Sequence, residues 1–136
     1  MAEPAKVLVI DDEPDLVEML RMALERKFEV LVAFDGKEGV AKAVAEKPDV
    51  IVLDIMMPEK DGFEACRELK GDPRTALTPI LIVTGVADYF GRTRYTKQSG
   101  MEIEAEDFIS KPVDPNELVS RVVALLEKNQ SRGKSG

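Results

Sequence analysis

The sequence predicts a doubly wound α/β domain around a five-stranded parallel sheet, and three observations predict it. Aliphatic runs such as Val7–Ile10, Val50–Leu53 and Ile80–Val83 have no polar alternation, the pattern of strands buried on both faces. Stretches with apolar residues at helical spacing separate the runs. The runs end on polar side chains at positions where open α/β sheets bind ligands: Asp11–Asp12, Asp54, Thr84 and, after a more polar run, Lys111.

The elements follow in order. Lys6–Ile10 is the first strand, and Pro14 then suits the first turn of a helix. Leu16, Leu20, Ala23 and Leu24 share a face, which predicts a helix over 14–27. Val30–Phe34 is the second strand. Asp35 with Glu38 three residues on is a helix-start pattern, Val40, Ala43 and Val44 give that helix its apolar face, and Pro48 closes it. The third strand delivers Asp54, with Pro58 in the loop beyond. Asp61 and Glu64 repeat the capping pattern, and Phe63, Cys66 and Leu69 form the buried side of a third helix. Gly71, Asp72 and Pro73 mark a loop.

Pro79–Thr84 is the fourth strand. A weak helical pattern over 86–99 (Val86, Tyr89 and Phe90, interrupted by Gly91) leads into a stretch from Met101 that alternates apolar residues with acids. Asp107–Ser110 is the most polar strand, which places it at an edge. Asp114, Pro115 and Glu117 start a last helix lined by Leu118, Val122 and Leu125. Residues 129–136 contain no large apolar side chain and are expected to be a disordered polar tail, so the folded domain is expected over 1–128.

Composition excludes several functions. The chain of 136 residues is of single-domain size and carries a net charge of −7, which disfavours direct contact with nucleic acid. No apolar run approaches a membrane span, and Met1–Pro4 lacks the features of a secretory signal, so no membrane insertion is expected. Cys66 is the one cysteine, which suits a reducing cytoplasm. There is no histidine, so imidazole metal sites and Ser/His or Cys/His catalysis are absent.

In a parallel sheet the strand ends share one rim, so Asp11, Asp12, Asp54, Thr84 and Lys111 should converge. Two ionised carboxylates about 5 Å apart repel by roughly 3 kcal/mol at an effective dielectric near 20. A divalent cation relieves that cost, and an all-oxygen site selects a hard ion such as Mg²⁺. With the charge offset, one carboxylate can accept a phosphoryl group while the lysine and the hydroxyl meet its oxygens.

These residues resemble the receiver domain of two-component response regulators. The match lies in Asp11–Asp12 after the first strand, Asp54 with Pro58 and Gly62 after the third, Thr84–Gly85 after the fourth and Lys111–Pro112 after the fifth, over roughly residues 5–128. The resemblance implies a flavodoxin-like (β/α)5 fold with strand order 2-1-3-4-5. It implies that Asp54 is the phosphoacceptor, that Asp12, Asp54 and the Met56 carbonyl hold Mg²⁺ with Asp11 assisting, and that Lys111 pairs with Asp54 or its phosphoryl group ahead of a cis Lys111–Pro112 bond. Thr84 and Phe108 would be the switch residues; Phe108 equally reads as core packing.

The implied role is a signalling switch, stand-alone and chemotaxis-regulator-like. The resemblance implies that it would be phosphorylated by a sensor histidine kinase or phosphotransfer protein, would act on a downstream protein, and would be no enzyme beyond its own phosphorylation and dephosphorylation. The alternatives are a receiver fragment of a DNA-binding regulator and an aspartate-nucleophile phosphohydrolase. The second lacks its Asp-x-Asp pattern in Asp11–Asp12–Glu13. The interval from Thr84 to Lys111 is somewhat longer than the family's usual spacing. Met56 and Val86, apolar beside the site, are expected to limit water access. The Arg92, Arg94 and Lys97 cluster reads as a solvated face or a docking patch.

Overall fold

The computed structural model describes residues 4–54, 62–85 and 105–135. Among them, five strands and four helices follow the chain as β1 (Lys6–Ile10), α1 (Pro14–Leu24), β2 (Glu29–Ala33), α2 (Gly36–Glu46), β3 (Val50–Asp54), α3 (Gly62–Gly71), β4 (Ile80–Gly85), β5 (Asp107–Lys111) and α4 (Pro115–Ser135). All the strands are parallel in one sheet, in the order β2-β1-β3-β4-β5. This is the expected α/β topology, with the polar fifth strand at an edge. The helix expected over 86–99 lies outside the described residues.

The uninterrupted apolar runs are explained by two cores, one on each side of the sheet. Leu8, Ile10, Ile51, Leu53, Ile80 and Ile82 point to one side, where Phe63, Ala65, Cys66 and Leu69 of α3 and Ala43 of α2 cover them. Val7, Val9, Val50, Val52, Leu81 and Val83 point to the other, under Leu20 and Leu24 of α1 and Leu118, Val122 and Leu125 of α4. Successive strand residues alternate faces, and both faces are dry, so neither parity can be polar. Each fully buried aliphatic side chain contributes about 1.5–3 kcal/mol relative to exposure.

The helix starts are set locally. The Asp35 side chain accepts from the Glu38 backbone N–H at 2.8 Å, and Glu38 Oε1 accepts from the Phe34 N–H at 2.9 Å, so the predicted capping pattern forms. At α4, Asp114 Oδ1 accepts from the Asn116 N–H at 2.9 Å. α2 stops before Pro48 through Lys47 in the left-handed region at φ 52°. α1 ends at Leu24, short of residue 27, because Phe28 packs against the core on that side and residues 25–27 turn to bring it there. α4 runs to Ser135, past residue 128, where composition sets the end of the folded domain and the start of a disordered tail. Among the described residues no helix is long and apolar enough to cross a membrane.

Gly39 fixes how closely α2 lies on β1. A Cβ there would meet Ile10 Cδ1, and would stand 2.8 Å from Ile10 Cγ1 and 2.9 Å from Cγ2. Ile10 is fully buried and cannot move aside. Alanine ordinarily gains about 0.5–1 kcal/mol over glycine inside a helix, but forced overpacking costs about 1–3 kcal/mol. Gly39→Ala is therefore expected to lower stability in thermal or urea denaturation, and an unchanged or raised midpoint would refute the close approach. Ile10 directly precedes Asp11, so this contact also positions the rim described next.

Candidate functional site

The carboxyl ends of β1, β3, β4 and β5 bring together the residues singled out in the sequence. Asp11 follows β1, and its N–H continues the ladder to Ala33 O at 3.1 Å. Asp54 is the last residue of β3, in register with Val83 of β4. Lys111 ends β5 in register with Gly85, one residue beyond the Thr84–Ser110 pair. The pairing thus carries an acid, a hydroxyl-bearing residue and an ammonium to adjacent strand ends.

Asp11 and Asp54 are buried, at 1% and 2% exposure, and Asp12 is half-buried. Carboxylate oxygens of these three residues lie within 4.8 Å of one another. Lys111 Nζ stands 3.6 Å from Asp54 Oδ1, and the Lys111–Pro112 peptide is cis. Asp12 does not cap α1. The N-cap residue is Glu13, which makes no side-chain capping bond, and its N–H donates to Asp11 Oδ1 at 3.0 Å.

Charge is poorly balanced here. Burial pushes the Asp11 carboxyl up to about 7; the Glu13 N–H opposes this, the Asp54 charge adds to it, Lys111 opposes and Glu13 adds. Burial pulls the Lys111 ammonium down, but the Asp54 charge, the Glu13 hydrogen bond and the Asp11 and Glu13 charges outweigh it, so Lys111 lies above its ordinary value and stays cationic. Among the described residues, one lysine beside Asp11, Asp12, Asp54 and Glu13 leaves a net negative cluster. The donors are all hard oxygens, and Asp11 resists ionisation because it is buried and, to a lesser extent, because Asp54 lies beside it, so the residues fit a divalent cation, whose charge would offset both.

Some expected site residues are only partly described. The Thr84 backbone is placed in β4, while its side chain lies outside the description, as do Met56, Val86, Arg92, Arg94 and Lys97. Phe108 is half-buried, opposite Ile82, and packs against the core on the α3 side, the packing role the sequence left open. Sequence reasoning missed Glu13, whose Oε1 accepts from Lys111 Nζ at 3.1 Å. Its signal was a glutamate directly before a helix-starting proline, a position where glutamate is a poor cap and its carboxylate is available for other contacts.

With this geometry in view, comparison with known proteins adds a family. The response regulator receiver domain model matches residues 7–123. The alkaline phosphatase synthesis transcriptional regulatory protein PhoP of Bacillus subtilis is 40% identical over 92% of this chain and 50% of its own length. The chain spans about half the length of three curated relatives it matches and about a quarter of a further one. Among solved structures, the signal receiver domain of a signal transduction histidine kinase from Syntrophus aciditrophicus is 33% identical over 91% of each chain, with TM-score 0.80. Vibrio cholerae chemotaxis protein CheY4 is 32% identical over 90% of this chain and 99% of that one, with TM-score 0.78.

Proposed function

The chain belongs to the response regulator receiver domain family and is a phosphoacceptor signalling switch, and we propose that Asp54 is its acceptor, with Mg²⁺ held by Asp11, Asp12, Asp54 and the Met56 carbonyl. The observation that carries this reading is the burial of Asp54 at a strand end, with two further carboxylates within 4.8 Å and an ammonium at 3.6 Å. A metal set of this kind, once loaded, supplies positive charge to the phosphoryl oxygens.

The chain's own residues would do the rest. An Asp54 Oδ attacks phosphorus; the O–P bond forms as the bond from phosphorus to the donor nitrogen or oxygen breaks. The product is an acyl phosphate, which water later returns to carboxylate and inorganic phosphate. Lys111, kept cationic by Asp54 and Glu13, meets a phosphoryl oxygen. Thr84 would donate its hydroxyl to another. A hydrogen bond to a charged oxygen is worth about 1.5–3 kcal/mol, enough to shift a two-state population by about 10- to 150-fold. Phe108 would follow as the second switch residue.

A phosphohistidine donor must lie outside these 136 residues, which contain no histidine. A sensor histidine kinase or phosphotransfer protein fits that need. We read the target as a protein, not nucleic acid, given the net charge of −7, and the compartment as the cytoplasm. The receiver unit would be residues 1–128. We read the chain as no enzyme beyond its own acyl phosphate; turnover of small phosphate esters would overturn that. Incubation with acetyl phosphate and Mg²⁺, then intact mass and peptide mapping, tests the acceptor directly. One phosphoryl group on the peptide containing Asp54 supports the assignment, and label elsewhere defeats it.

A further inference from the structure

Among the described residues, Lys111 Nζ lies within ion-pair distance of two carboxylates. Its Nζ donates to Glu13 Oε1 at 3.1 Å and stands 3.6 Å from Asp54 Oδ1. The shorter contact is to the carboxylate that is not the proposed acceptor. The start of α1 makes this possible. Glu13 is the N-cap residue in extended backbone (φ −97°, ψ 106°), and its side chain makes no capping bond. Its N–H is tied to Asp11 Oδ1 at 3.0 Å, so its backbone is fixed to the site while its carboxylate reaches to the end of β5. The Glu13 side chain is 61% exposed, against 2% for Asp54. The pair therefore sits at the mouth of the site, with the acceptor carboxylate beneath it.

We infer that Glu13 is a positioning residue that holds Lys111 at the mouth of the site before phosphoryl transfer and yields it to the phosphoryl group afterwards. The inference rests on the reading of Asp54 as acceptor. An exposed ion pair of this kind holds weakly, so a doubly charged phosphoryl group on the neighbouring buried residue can take the ammonium from it. Before transfer the same contact works against the reaction, because Lys111 must leave Glu13 to meet the incoming oxygens. Glu13 thus sets how readily small anionic donors react, and it acts through Lys111 without touching the reacting atoms.

Three proteins test this: the wild type, Glu13→Gln and Glu13→Asp. Aspartate keeps the charge, but its side chain is one methylene shorter and cannot span the same gap. Initial labelling rates with acetyl phosphate and Mg²⁺ are read by intact mass. Both variants are expected to label about 2- to 5-fold faster, the range of an exposed ion pair. The gain from Glu13→Gln is expected to vanish in a Lys111→Met background. In the metal-free, donor-free protein, ¹⁵N NMR is expected to show a slowly exchanging Lys111 ammonium in the wild type and to lose it in both variants. A faster Glu13→Gln with an unchanged Glu13→Asp would mean simple repulsion of the donor and overturn the inference. Unchanged or slower variants, a gain that survives Lys111→Met, or an ammonium signal indifferent to Glu13 would overturn it as well. A wild type that takes no label at Asp54 defeats the acceptor reading and this inference together; a labelled wild type with indifferent variants defeats this inference alone.

Discussion

Asp54→Asn is expected to take up no phosphoryl group from acetyl phosphate in the presence of Mg²⁺, a loss of at least about 10³-fold in labelling rate. The amide keeps the shape of the carboxylate but has no anionic oxygen to attack phosphorus. The protein should remain folded, so the loss can be read as chemistry. Asp54 is buried beside Asp11, whose carboxyl the Asp54 charge helps to push up. Removing that charge from the metal-free site relieves a repulsion of roughly 1–3 kcal/mol. Lys111 keeps Glu13 as a partner at 3.1 Å, so no ammonium is stranded. The variant should therefore melt no lower than the wild type without Mg²⁺ while failing to label. A variant that still gains a phosphoryl group at another residue would remove Asp54 from its assigned role.

The features that locate Asp54 were legible in the sequence because they are properties of strands. Val7 and Val9 face one core and Leu8 and Ile10 the other, so the run had to be apolar throughout, and its length had to deliver Asp11 to the rim. The same logic placed Asp54 after Leu53 and Lys111 after Ser110. Asp35 and Glu38 were legible because a cap is a contact over three or four residues. What could not be read depends on distances between elements. The Glu13–Lys111 contact joins residues 98 positions apart through two side-chain rotamers. Gly39 has no local reason to be glycine; its reason is Ile10, on another element. The end of α1 followed packing by Phe28 more than the helix propensity of Glu25, Arg26 and Lys27, which is a weak force per residue.

Asp11 provides the second large effect, a Mg²⁺ stabilisation that should depend on pH. Its carboxyl is at about 7 in the folded protein against an ordinary value of 3.8. The folded state therefore holds more protons than the unfolded state between these values, and stability falls as pH rises. The contribution is fully present below about 3.8, is lost through the window up to about 7, and is flat beyond. The whole shift corresponds to on the order of 4 kcal/mol. Between pH 5.5 and 8.5 the metal-free protein should lose roughly 2 kcal/mol, about 5–10 °C in Tm. Asp11→Asn, which cannot ionise, should lack that part of the decline. Mg²⁺ competes with protons for the same oxygens, so it should raise Tm strongly at pH 8 and little at pH 5.5. At about 100 times its Kd a ligand stabilises by about 2.7 kcal/mol, which is enough to offset the loss. Asp12→Ala should weaken the Mg²⁺ response at pH 8, because it removes the most accessible of the three carboxylates. A Tm at pH 8 indifferent to millimolar Mg²⁺ would mean that the like charges at this rim are balanced by something other than a divalent cation, and the metal assignment would have to be abandoned.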